Sequence, residues 1–89
     1  MSKLPQTLQL NVSLVCYAIV SSNFATFQNP NMRGPSFSWD NFATLMKGRC
    51  ESGVFLNVPV PEKYTESVRK FAGTAGAEIA SYLVKQMTE

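Results

Sequence analysis

Cys50 stands between Arg49 and Glu51, the only thiol in the chain with a cation beside it in sequence to favour thiolate over thiol. A thiolate nucleophile also needs an arranged base, and the chain contains no histidine. Cys50 therefore reads as a structural or merely exposed thiol, and Cys16, set in an apolar run, reads as a small hydrophobe. Both are expected to be reduced. Glu62 and Glu66 lie one helical turn apart and could share a face, but with Lys63 and Lys70 nearby they read as a solvated helix surface.

Two cysteines 34 positions apart, without a histidine, do not have metal-ligand spacing. Gly73 and Gly76 form a short GxxG, yet neither a dinucleotide fingerprint nor a phosphate-loop lysine accompanies them. Their flanks are alanine and threonine, not the basic residues that grip a nucleic-acid backbone. The expectation is a protein that is not an enzyme, with no catalytic residues, no cofactor and no metal.

A hydrophobic content of 45% against 16% charged residues is a globular composition, and 89 residues make one domain with a small core. The net charge of +2 is too small to argue for a nucleic-acid or membrane partner on electrostatic grounds. Its distribution says more: residues 4–32 contain no Asp, Glu, Lys or Arg. An uncharged stretch of that length must be covered, either by the C-terminal segment or by another subunit. Gln9, Asn11 and Ser13 interrupt its apolar residues, so neither a cleaved leader nor a membrane span is expected, and Asn11-Val12-Ser13 as a glycosylation triplet is accidental. So few cysteines favour an intracellular, cytoplasmic setting.

Over 7–20, Leu8, Leu10, Val12 and Leu14 alternate with polar residues, the period of a strand with one buried face. Val15, Tyr17 and Ile19 then fill the other face. Ser21, Ser22 and Asn23 can turn the chain, and 24–28 returns as a partner strand. Residues 29–35 are a loop rich in Asn, Pro and Gly. Ser38 caps a short helix over 39–47, and Gly48 stops it. Val54, Leu56 and Val58 point one way along a third strand, which Pro59 ends. From Pro61 to the C-terminus runs one long amphipathic helix, with Tyr64, Val68, Phe71, Ala75, Ile79 and Tyr82 in a core stripe and Leu83 beside them. The expected fold class is α+β: a small antiparallel sheet of about three strands packed against a long C-terminal helix, with one short additional helix. The repeat of Asn23-Phe24-Ala25-Thr26 at Asn41-Phe42-Ala43-Thr44 is too short to mark a repeat architecture.

Gly73 and Gly76 each cost about 1 kcal/mol in a helix interior relative to alanine. They imply either a break or tight packing within the monomer, or close contact with a helix of another subunit. Met32 and Arg33 in the loop, Phe37 and Trp39 beside it, and the small face at Gly73 and Gly76 are the candidate partner-binding residues. The functional expectation is a non-catalytic protein-interaction module, self-associating, of the regulator or inhibitor kind; phage-encoded anti-defence proteins are one such class, by analogy of size alone. The alternative is a single-stranded nucleic-acid binder, stacking bases on exposed aromatics with Arg33, Lys47 and Arg49 along a groove. Against it, so small a domain needs its large rings for a core.

Overall fold

The computed structural model describes residues 3–88 and contains helices but no strand among them. In chain order these are α1 (Gln6–Phe27), α2 (Phe42–Asn57) and α3 (Thr65–Thr88), with short 3-10 turns at Pro30–Met32, Trp39–Asn41 and Glu62–Tyr64. The expected α+β fold is thus replaced by an all-helical one.

The reason lies in the interleaving of two helical stripes. Along α1, Leu8, Val12, Cys16 and Val20 are buried at a spacing of four. Leu10 and Leu14, offset by two, lie exposed on the opposite side. Two i,i+4 rows displaced by two residues reproduce the alternation of a strand, although each row belongs to a helix. No glycine or proline interrupts the segment between Gln6 and Phe27. Its polar residues bond within the helix, Asn23 Nδ2 to the Ile19 carbonyl at 2.7 Å and Thr26 Oγ1 to the Ser22 carbonyl at 3.0 Å, so the expected turn at 21–23 is helical. The expected return strand at 24–28 is the last turn of α1 and its cap.

In α2 the same device recurs. Phe42, Met46, Cys50, Val54 and Val58 are buried at a spacing of four, and Leu56 points outward. The expected strand over 54–58 is the end of this helix. Gly48 does not stop it, since no glycine among the described residues takes a positive φ. Termination falls at Val58, extended at φ −125° and ψ 123° because Pro59 follows.

The long C-terminal helix is present and unbroken through Gly73 and Gly76; Glu89, its expected end, lies outside the described residues. Its core stripe is rotated from the expected one. The buried residues are Val68, Ala72, Gly73, Gly76 and Ala80, while Phe71, Ala75, Ile79 and Leu83 flank them half-buried and Tyr82 is exposed. Small side chains sit at the line of closest approach, larger ones on either side of it.

The helices run up, down and up. α1 and α2 are antiparallel, with Ile19 against Gly53 and Asn23 bonded to Arg49. α2 and α3 are antiparallel, with Cys50 against Gly76 and Phe55 beside Arg69. α1 and α3 are parallel, Cys16 facing the Ala72 carbonyl and Gln28 reaching Met87. One core cluster, from Leu4 at one end to Phe42 and Ala80 towards the other, joins all three.

Candidate interaction surfaces

The two thiols lie in the middle of that core, both fully buried. Cys16 Sγ donates to the Ala72 carbonyl at 3.6 Å, and Cys50 Sγ approaches the Cys16 carbonyl at 3.8 Å. The two cysteine side chains also interact with each other. That contact draws Cys16 below its ordinary value, whereas Cys50, held to Cys16 and buried, is pushed well above its own. A neutral, buried Cys50 is a poor nucleophile. The cation beside it in sequence, Arg49, points away from it, bonding Asn23 Oδ1 and lying over the Phe27 ring at 5.9 Å. Glu66 pairs with Arg69 on the exposed surface of α3. No group of three or more His, Cys, Asp or Glu among the described residues could hold a metal ion.

Gly73 and Gly76 are turned inward, against α2 of the same chain. A Cβ on Gly76 would lie 2.6 Å from Cys50 Sγ and 3.0 Å from the Met46 carbonyl oxygen, so backbone would have to move. On Gly73 it would meet only the end of the Glu51 side chain, at 2.7 Å. The small face is therefore occupied within the chain, and the helix break is absent.

The remaining predicted residues gather at one end of the bundle. The segment between α1 and α2 folds across that end and lays Phe37 and Trp39 onto Phe24, Phe27 and Phe42. Trp39 has ring centroids at 5.0 Å (Phe37), 5.2 Å (Phe42) and 5.4 Å (Phe24). The two phenylalanines of the repeated Asn-Phe-Ala-Thr meet here as well, at 6.0 Å. Arg33 closes the cluster from outside: its Nε donates to the Phe27 carbonyl at 2.6 Å and its guanidinium lies 5.4 Å from the Trp39 ring and 5.9 Å from that of Phe37. Met32 stays exposed next to it. A cleft of about 300 Å³ opens alongside, between Phe27, Phe37, Asn41 and Leu45. Met32, Arg33, Phe37 and Trp39 are thus brought together, and Gly73 and Gly76 are not part of the group.

Sequence reasoning did not place the open apolar surface along α1. Leu10 (58% exposed), Leu14 (67%) and Tyr17 (58%) line the outer side of α1, and Leu56 (87%) projects from α2. Between the two helices runs a groove of about 370 Å³ lined by Val15, Ala18, Ile19, Ser22, Asn23 and Asn57. The signal was available in the uncharged run, once that run is wound as a helix instead of a strand. By length and mean hydropathy (1.4) α1 is also long and apolar enough to cross a membrane, a test that a mostly buried core helix and a signal sequence near an N-terminus pass too.

Compared with protein families, with curated proteins and with solved structures, the chain matches none.

Proposed function

We propose that this chain is a non-catalytic protein-interaction module that associates with itself and serves as a small regulator or inhibitor in an intracellular setting. One observation carries the reading: a helix without a single charged residue keeps Leu10, Leu14 and Tyr17 more than half exposed. An apolar surface of that kind on so small a bundle is a contact surface. The arginine-aromatic end, with exposed Met32 beside Arg33, Phe37 and Trp39, has the composition of interface anchors and is the second surface, offered to a different protein. The fully buried thiols support the non-catalytic side of the reading, and free cysteines suit a reducing compartment.

Single-stranded nucleic acid is less well served. A stacking platform needs a free ring face. Trp39 already packs against three rings and a guanidinium.

Light scattering across protein and salt concentration tests the reading. The expected result is a mass that rises above the 9.8 kDa of the monomer with concentration and is undiminished by salt, because the contact is apolar. A mass of one chain at every concentration overturns it.

A further inference from the structure

We infer that the outer face of α1 is the seam of a two-fold dimer in which α1 of one subunit packs antiparallel to α1 of a second copy, with Leu14 of each against Tyr17 of the other. This rests on the self-association reading above and specifies its surface, occupant and register.

The spacing points to a helix as the occupant. The inner face of α1 repeats every four residues, whereas the outer face runs through exposed Leu10, Leu14 and Tyr17 to half-buried Ser21, at steps of four, three and four. That is the a/d period of a helix-helix seam, and the described residues leave Leu10, Leu14 and Tyr17 more than half exposed. Charge points to a second copy. A two-fold contact sets a face against itself, so any charge on it would meet its own image. Outer α2 exposes Lys47 and Arg49, and outer α3 exposes Lys70, Glu78 and Lys85; α1 alone is neutral throughout.

Direction follows from side-chain size, since Arg33 already meets the carbonyls at the C-terminal end of α1 and leaves the helix dipole no say. Parallel packing would set each position against its own image, two tyrosines at 17 and two serines at 21, whereas antiparallel packing sets a large side chain against a smaller one. In that arrangement an a position faces a d position, which pairs Leu14 with the partner's Tyr17 at the centre and Leu10 with the partner's Ser21 further out. A seam of 22 residues is roughly 33 Å long and about 10 Å wide. That footprint, about 330 Å², is under half of the roughly 800 Å² per subunit of a standard interface, so the dimer dissociates on dilution.

Charge insertion tests the pairing. Leu14 is exposed, so Leu14→Glu keeps the helical circular-dichroism spectrum while weakening dimerisation at least tenfold. The double variant Leu14→Glu with Tyr17→Lys regains the dimer, because antiparallel packing sets each new carboxylate against a new ammonium, and loses it again at high salt. A wild-type monomer at all concentrations overturns both this inference and the reading it rests on. A dimer indifferent to Leu14→Glu overturns the inference and leaves self-association to another surface. A dimer lost in the single variant and not regained in the double overturns the antiparallel register. Co-sedimentation of the wild type with phosphatidylcholine vesicles, abolished by Leu14→Glu, would make the face a lipid contact and overturn the seam.

Discussion

The two sides of α1 are nearly equal in chemistry and opposite in fate. Leu8, Val12, Cys16 and Val20 are sealed by α2 and α3, whereas Leu10, Leu14 and Tyr17 face outward. The difference lies in what each side meets. The inner row finds small or well-fitted partners, such as the Ala72 carbonyl against Cys16, while the described residues leave Leu10, Leu14 and Tyr17 of the outer row more than half exposed. Hydrophobicity therefore does not say which side of this helix is core; spacing relative to the rows of the other helices does.

The same charge placed on each side separates the two rows most strongly. Val12→Glu buries a carboxylate with no partner in the fully enclosed core and is expected to cost more than about 4 kcal/mol, enough to unfold so small a domain. Leu14→Glu is expected to change the stability of the dilute monomer by less than about 0.5 kcal/mol. Urea titration of both variants at low protein concentration measures the contrast, and equal losses would mean that the outer row is covered even in the monomer. Next in size is Gly76→Val, expected to cost about 3 kcal/mol, because its Cβ meets the Met46 carbonyl and the rigidly packed Cys50. Thermal unfolding would show it as a fall in Tm of more than about 10 °C.

The long C-terminal helix and the loop over 29–35 were legible because their signals are local: Pro61 before a 3.6-residue pattern, and a dense run of Asn, Pro and Gly. The sheet was misread because a period of two is ambiguous when two rows of period four are offset by two, as Leu8, Leu10, Val12 and Leu14 are. Gly48 misled for a related reason, since a glycine stops a helix only where the backbone turns left-handed, and here it does not. Of the candidate site, the grouping of Arg33, Phe37 and Trp39 was legible from their nearness in sequence. Their stacking on Phe24 and Phe27 was not, because it depends on α1 continuing to Phe27 and presenting both rings at one end. Trp39→Ala sharpens this point: a tryptophan that is half-buried but contacts three rings should cost about 2 kcal/mol, less than full core burial. Loss of that stability without any change in dimer mass would separate the aromatic end from the α1 surface.

The smallest effect concerns the glycines of α2 and bears on the same contrast between covered and open sides. Gly53 is held by Ile19, whose Cδ1 would lie 2.9 Å from an added Cβ, whereas nothing among the described residues beyond its own helix backbone comes within 4 Å of one on Gly48. A glycine with no neighbour in mid-helix has no packing reason to be there, so Gly48→Ala should raise stability by about 1 kcal/mol through reduced freedom of the unfolded chain. The expected readout is a Tm higher by about 4–8 °C in dilute solution. If the gain appears in dilute solution but shrinks as the protein self-associates, the outer side of α2 near Gly48 and Leu56 joins the contact made by α1, because a methyl group that is free in the monomer would then be crowded only in the assembly.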